Sequence, residues 1–242
     1  MKIDILSLFP AYFEGPFGVS MIKRALDNNL IEIGLIDIRD FTKDKHRRVD
    51  DRPFGGGPGM LMTAQPIVDA INSVKTKDSK VVFLSPQGSL LTAQKAKKMS
   101  CNVTHPNAAH PDVNHLIILC GHYEGVDERV LKYIDEEISI GDYVLTSGCP
   151  AAVILVESVI RFIPGVLGNE DGAKKDSFED YLFDAPAYTR PVLFEGLEVP
   201  EVLRSGNFKN IENYNYEKKL IKTKKVRPDL YEKHKKLKIN IC

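Results

Sequence analysis

Apolar residues gather in short runs along the chain. Ile3–Leu8, Ile31–Ile36, Val81–Leu84 and Leu116–Cys120 are rich in Ile, Val or Leu and do not strictly alternate with polar residues. Such runs predict strands of a parallel sheet covered on both faces. A weaker run spans Glu137–Ile140. Between the runs, Val19–Asn28, Pro66–Val74 and Thr92–Met99 read as helices. Strands alternating with helices predict an α/β domain with a mainly parallel sheet. A strongly apolar helix, Pro150–Phe162, follows, with Pro150 suited to its first turn. Its only charges are Glu157 and Arg161, so both are expected on a buried helix. The pattern then breaks. Residues 168–180 read as a flexible linker, and 181–242 as a small, mostly helical second domain after a first domain of 1–167.

Three runs end in loop chemistry. Val81–Leu84 leads into Ser85-Pro86-Gln87-Gly88, Leu116–Cys120 into Gly121-His122-Tyr123-Glu124-Gly125, and Glu137–Ile140 into Gly141-Asp142-Tyr143. Ligands of open α/β sheets lie beyond the carboxyl ends of the strands, so the three loops predict one shared pocket.

Composition narrows the class. The 242 residues are 43% hydrophobic and 27% charged, which is ordinary globular composition. No apolar run approaches the ~20 residues of a bilayer span. Met1-Lys2-Ile3-Asp4 does not open a secretory signal. A cytoplasmic protein with no membrane partner is expected. Cys101, Cys120, Cys149 and Cys242 are not spaced as a zinc site and read as free thiols. His105, His110 and His115 fall at five-residue spacing in a stretch that reads as a solvated loop, matching no common ligand pattern. Net charge is zero, but it is unevenly distributed. Residues 204–242 hold 12 Lys/Arg against 4 Asp/Glu, whereas residues 1–203 hold 21 against 29. On charge alone the basic tail fits RNA and a solvated lysine-rich helix face equally, and the interleaved Phe208, Tyr214, Tyr216 and Tyr231 tip the balance slightly toward RNA.

The densest motif is His46-Arg47-Arg48-Val49-Asp50-Asp51-Arg52-Pro53-Phe54-Gly55-Gly56-Gly57-Pro58-Gly59-Met60. Its glycines permit positive φ or close approach to a ligand, and its arginines suit phosphate or base contacts. A mobile surface loop is the plain alternative. It is neither a P-loop nor a dinucleotide fingerprint. No Gly-x-Gly follows the first strand, so composition and spacing alone do not reveal an adenosylmethionine site. Glu157 and Arg161, four apart, make an ordinary i,i+4 pair or point Arg161 into a site.

Taken together, these segments resemble the bacterial tRNA (guanine-N1)-methyltransferases. The matching stretches are 6–10 (LSLFP), 47–62 (RRVDDRPFGGGPGMLM), 84–88 (LSPQG), 120–130 (CGHYEGVDERV), 138–145 (ISIGDYVL), 158–168 (SVIRFIPGVLG), 176–178 (DSF), 188–191 (YTRP) and 202–207 (VLRSGN). They run in the family's order over about 200 residues. The resemblance implies a deep trefoil knot in the α/β domain, with S-adenosyl-L-methionine bound bent within it. It implies a homodimer with composite sites, magnesium assisting, and a tRNA partner. The product is 1-methylguanine at tRNA position 37, 3′ of the anticodon, with S-adenosylhomocysteine released. The cofactor pocket is implied at Ser85, Pro86, Gln87, Gly121, Tyr123, Glu124, Gly125, Ile140, Gly141, Asp142, Tyr143, Val144, Leu145 and Gly148. The target base is implied at Asp50, Arg52, Gly55, Gly56, Gly57, Pro58 and Gly59.

The resemblance makes Asp176 the general base and sets Arg161 against the guanine O6. The chemistry suits these types. Neutral guanine carries a proton on N1 that must leave before N1 can attack a methyl. Asp176 is able to accept it, and Arg161 to stabilise the charge that develops on O6. The chain departs from the family pattern after Leu145. Ser-Gly-Gly-Glu-Leu-Pro is usual there, and Thr146-Ser147-Gly148-Cys149-Pro150-Ala151 stands here. His122 replaces a common arginine. Two rivals remain open: an RNA-binding protein that has lost catalysis through 146–151, and a knotted methyltransferase acting on another RNA.

Overall fold

A computed structural model describes residues 1–100, 114–168 and 176–239. The chain divides into two compact units, Met1–Glu170 and Asp171–Cys242.

The first unit is built on five parallel strands: β1 (Lys2–Ser7), β2 (Glu32–Asp37), β5 (Ser79–Leu90), β6 (His115–Cys120) and β7 (Glu136–Ser139). Their order is β2-β1-β6-β5-β7, so β6 is wedged between two strands that precede it. A short antiparallel pair, β3 (Asp50–Asp51) and β4 (Leu61–Met62), stands apart from the sheet. The helices are α1 (Ser20–Asp27), α2 (Ala64–Val74), α3 (Ala93–Ser100) and α4 (Cys149–Ile160).

The absence of polar alternation in β5 and β6 has a simple cause: both faces are covered. Val82, Leu84, Leu116 and Ile118 pack with Ile22 of α1, Met99 of α3 and Leu155 of α4. Val81, Phe83, Ile117 and Leu119 pack on the other face with Ile67 and Ile71 of α2. Each fully buried aliphatic side chain contributes about 1.5–3 kcal/mol. Helix α4 is apolar because it lies under the sheet, with Leu155, Val156, Val159 and Ile160 buried. Its burial is one-sided, however. Ile154 and Glu157 are exposed, and Arg161, which caps the carboxyl end, is exposed too. The expectation of a buried Glu157 and Arg161 is corrected: both occupy the solvent edge of an otherwise buried helix.

The amino ends of the strands are joined by a polar relay. The His115 Nε2 lies 2.7 Å from an Asp4 carboxylate oxygen, and its Nδ1 lies 2.8 Å from the Ser79 hydroxyl. Lys2 Nζ is 3.1 Å from the same carboxylate. Asp4 and His115 are buried. His115 is therefore a strand residue and not part of a solvated loop. His105 and His110, like Cys101 and Cys242, lie outside the described residues.

In the second unit, a two-stranded hairpin, β8 (Leu193–Phe194) with β9 (Leu197–Glu198), precedes α5 (Phe208–Val226) and α6 (Pro228–Ile239). Asn207 caps α5 by accepting from the Asn210 N–H. The segment 176–182, most of it expected in the linker, is a hydrogen-bonded turn here. The Phe178 N–H donates to the Leu182 carbonyl, and Leu182 is buried. The Phe183 N–H donates to the buried Thr223 hydroxyl of α5 at 2.8 Å. His234 of α6 donates through Nδ1 to the Asp180 carbonyl at 2.7 Å, which leaves Nε2 to accept from Tyr216 at 3.2 Å.

Candidate functional site

A cavity of about 470 Å³ opens at the carboxyl ends of β5, β6 and β7. Its wall comes from the loops that follow β6 and β7 and from Ser85–Gln87, which the sequence placed in a loop but which lie inside β5, where its pairing with β7 shifts register. Of the fourteen residues expected to hold the cofactor, all but Asp142 line it. Sequence reasoning did not single out several other lining residues. Phe83, Leu84, Ile138 and Ala151 give the wall its apolar part, and Glu137, Ser139, Thr146 and Ser147 its polar part. Strand residues of β5 and β7 could have been included from sequence, since the lining begins at Phe83 and Glu137, whereas after β6 it begins only at Gly121.

Two glycines let the loops meet. The Gly148 N–H donates to the Gly121 carbonyl at 2.8 Å. A Cβ on Gly148 would stand 2.9 Å from the Cys120 Cα and 3.0 Å from the Gly121 nitrogen, so only glycine fits. His122 and Ser147 form an antiparallel bridge beside them. The altered segment 146–151 therefore still closes against the loop after β6.

His122 faces the same cavity, with its ring 5.2 Å from Phe9 and 4.6 Å from Tyr123. Its Nδ1 is buried with no hydrogen-bond partner among the described residues. A buried polar atom of this kind is ordinarily satisfied, so it fits a bound polar group. The wall as a whole suits an adenosyl compound. It offers apolar sides for a purine, glycine backbone that a ligand can approach closely, and an unfilled hydrogen-bonding position.

The triple-glycine motif forms the tip of the β3–β4 hairpin. Gly55, Gly56, Gly57 and Gly59 have φ of 86°, 78°, 121° and 87°, which side chains rarely adopt. Phe54 is fully exposed at the tip. The hairpin base is tied to the cavity loop: Glu124 N–H to the Met60 carbonyl at 3.0 Å, Met62 N–H to that of Gly125 at 2.9 Å, and Asp127 N–H to that of Met62 at 2.9 Å. Asp50, Arg52, Gly55 to Gly57, Pro58 and Gly59 thus stand on a loop anchored beside the cavity. Asp127 caps the following turn, and the Arg129 guanidinium holds its carboxyl down at about 2.

Arg161 belongs to the first unit. Asp176 opens the described part of the second, half-buried at the start of the turn 176–182. Each has an interaction partner within the protein.

Sequence spacing gave no hint of one pair. Cys120 ends β6 and Cys149 begins α4, and both are buried; Gly148, the residue before Cys149, lies against the Cys120 backbone, and the Cys149 sulfur is 3.4 Å from the Ser7 hydroxyl. Cys120 lowers the Cys149 thiol to about 6, helped by the Ser7 and Ser147 hydroxyls against the opposing effect of burial. Burial pushes the Cys120 thiol well up, with Cys149 adding to the rise.

Residues 1–233 match the profile of the family described as tRNA (Guanine-1)-methyltransferase TrmD. The chain is 54% identical to a tRNA (guanine-N(1)-)-methyltransferase of Protochlamydia amoebophila, over 95% of this chain and 99% of that protein. It is 52% identical to a protein of the same name from Chlamydia pneumoniae, over 96% of this chain but only 61% of that longer relative. A Dictyoglomus turgidum protein, also so named, is 48% identical over 96% of this chain and 91% of its own length.

Proposed function

The chain belongs to the tRNA (guanine-1)-methyltransferase family, and on that premise we propose that it methylates N1 of guanine at tRNA position 37, with S-adenosyl-L-methionine as donor. The single observation that carries this reading is the cavity where Ser85–Gln87 of β5 and the loops after β6 and β7 converge around Gly121 and Gly148. The bound donor supplies an electrophilic methyl on a sulfonium.

The protein's own residues do the rest. Ser85 to Gln87, Gly121 to Gly125 and 140–145 hold the adenosyl group, with backbone groups doing much of the recognition. The β3–β4 hairpin presents Asp50, Arg52 and its glycine tip to the nucleotide. Asp176 takes the proton from guanine N1, and Arg161 stabilises the charge gathering on O6 by a charge-assisted hydrogen bond. An ordinary aspartate is a weak base, near ~3.9. The lysines and tyrosines of α5 and α6, such as Lys218 beside Tyr214 and Lys235 beside Tyr231, suit RNA.

Three further readings belong to the same proposal. The chain from β7 returns through 141–148 to bridge the loop after β6 before entering α4, and we read this course as part of a trefoil knot. Tyr143, Val144 and Leu145 are exposed in sequence, as a surface covered by a second copy in a homodimer would be. Magnesium would be held with RNA phosphates, because no cluster of three His, Cys, Asp or Glu among the described residues could hold a metal. No helix among them is long and apolar enough to cross a membrane, which is compatible with work on cytoplasmic tRNA.

The test is methyl transfer to tRNA transcripts carrying guanine or adenine at position 37. Labelling of the guanine transcript alone is expected. Equal labelling of both refutes the site. Tight RNA binding without adenosylmethionine binding supports the rival of an RNA-binding protein that has lost catalysis.

A further inference from the structure

Asp176 and His234 of α6 belong to the same compact unit, and a chain of hydrogen bonds joins the helix to the turn that begins at Asp176. That turn is strained. Phe178 has φ of 81° and Tyr181 of 64°, a region that bulky side chains rarely adopt and that persists only where neighbouring contacts over-determine it. The contacts within the turn are long. The Glu179 N–H donates to the Asp176 carbonyl at 3.3 Å, and the Tyr181 N–H to that of Phe178 at 3.2 Å. The Asp180 carboxylate accepts from the Leu182 N–H at 3.1 Å. The Asp180 carbonyl shares one rigid plane with the Tyr181 N–H, so its direction and the φ of Tyr181 are set together.

That carbonyl is held from outside the turn. The His234 Nδ1–H donates to it at 2.7 Å, and His234 is only 3% exposed. A carbonyl only accepts, which leaves Nε2 of the neutral ring to accept from the Tyr216 hydroxyl at 3.2 Å. The Tyr216 oxygen accepts in turn from Lys238 Nζ. Lys238, Tyr216, His234 and the Asp180 carbonyl form a one-way chain in which each donor meets one acceptor. Filling space on this face of α6 calls for an aliphatic residue, as at buried Leu230 one turn earlier. The imidazole adds a bond to a strained peptide that leucine cannot make.

We propose that His234 is a positioning residue for methyl transfer: fixed in one tautomer by Tyr216, it holds the Asp180 peptide and so fixes the turn that carries Asp176. The proposal rests on the reading of Asp176 as the general base. His234 is buried and acts through the turn, not on the substrate. Without its bond the 180–181 peptide is free to rotate and Tyr181 relaxes out of the left-handed region. Asp176, four residues before Asp180, then loses its fixed place. Misplacing a catalytic group by about 1 Å costs up to ~10²-fold, so the loss falls on the chemical step and not on RNA affinity.

The test compares His234→Ala and His234→Asn with wild type, each as the full chain. The asparagine amide N–H stands where Nδ1–H does, so His234→Asn keeps the bond to Asp180 and loses only the one to Tyr216. Amide hydrogen exchange at Tyr181 and Leu182 reads the clamp without any activity. Single-turnover methyl transfer at saturating S-adenosyl-L-methionine, with tRNA varied, reads the chemistry. In His234→Ala, exchange at both amides is expected to quicken about tenfold, the worth of one hydrogen bond. The rate at saturating tRNA is expected to fall ~10–10²-fold while the half-saturating tRNA concentration stays within about twofold. His234→Asn is expected to return both readouts to within about threefold of wild type. Equal impairment of the two variants, or rate and tRNA affinity lost together, marks a merely structural histidine and overturns the proposal. Unchanged exchange at Tyr181 and Leu182 in His234→Ala overturns it too. Should His234→Ala not fold, Tyr216→Phe decides, since it removes the donor that fixes the tautomer from a side chain 37% exposed. A several-fold slower rate with tRNA affinity kept is expected there, and wild-type rate and exchange overturn the proposal. If Asp176→Ala is as active as wild type, the base reading fails, and exchange still decides the clamp.

Discussion

The Gly148 N–H donates to the Gly121 carbonyl across 2.8 Å, and that bond joins the loop after β7 to the loop after β6 at the cavity wall. The neighbours of a Cβ on Gly148 would be backbone atoms of Cys120 and Gly121 at 2.9–3.3 Å, which cannot swing aside. Gly148→Ala is expected to destabilise the protein by about 1–3 kcal/mol and to weaken S-adenosylhomocysteine binding. Thermal unfolding and calorimetry check it. Unchanged values in both would mean that the wall is slack.

Gly59 has φ of 87°, and a Cβ there would stand 2.4 Å from the Cγ of Glu124. Glu124 is able to move, whereas the backbone strain remains. Gly59→Ala is expected to raise the KM for tRNA several-fold while S-adenosylhomocysteine affinity stays within about twofold, because the hairpin tip serves the nucleotide in the proposed site. Equal KM values would detach the hairpin from RNA recognition.

Asp176→Ala and Arg161→Ala separate chemistry from binding. Single-turnover methyl transfer is expected to fall ~10²–10⁴-fold for Asp176→Ala, the usual worth of a general base. Arg161→Ala should fall comparably, as groups that stabilise developing charge do. Cofactor affinity should hold in both. A rate for Asp176→Ala close to wild type removes it from the base role.

His115→Ala leaves the Ser79 hydroxyl and the buried Asp4 carboxylate without their shared partner, although Lys2 still reaches Asp4. A loss of about 1–3 kcal/mol in urea unfolding is expected, with the methyl-transfer rate unchanged at 25 °C. Lost activity in a folded variant would show that the relay communicates with the opposite end of the sheet.

Glu136 is pushed up by burial, but Lys80 at 2.5 Å and Lys95 at 2.8 Å outweigh it and hold the carboxyl below its ordinary value. Because the folded state has the lower pKa, the stabilisation is full above the unfolded value of about 4.5. It is lost as pH falls through the folded one. Glu136→Gln is expected to flatten the acid limb of stability against pH. An identical acid limb in urea titrations would assign the effect to other carboxylates.

The elements of the first unit were legible because their burial is simple. Leu116–Cys120 carries no polar residue and proved to be the sheet's central strand, covered on both faces. Val81–Leu84 pointed to a strand that runs on to Leu90, since its end pairs with β7 across a register shift that hydrophobicity does not encode. The three loop motifs led to the cavity because parallel strands place their carboxyl ends together. What sequence could not supply was lateral position. Arg161 follows a buried helix yet is exposed, because its place around the helix axis, and not the helix's mean polarity, decides what it meets. His115 looked like loop because its neighbours in sequence are polar, whereas its neighbours in space are Asp4 and Ser79. The approach of Gly148 to Cys120 joins segments that only the packing of α4 under β6 brings together.

The position of β6 also governs how the chain is made. β1 and β2 are synthesised close together and pair directly, but β1 and β5 have no contact edge until β6 arrives between them. The centre of the sheet therefore cannot assemble until residue 120 has left the ribosome. Until then β1 and β5 each hold an apolar strand edge unpaired, the condition under which nascent chains recruit chaperones or associate with one another. Slow refolding with strong concentration dependence would be the laboratory counterpart of that wait.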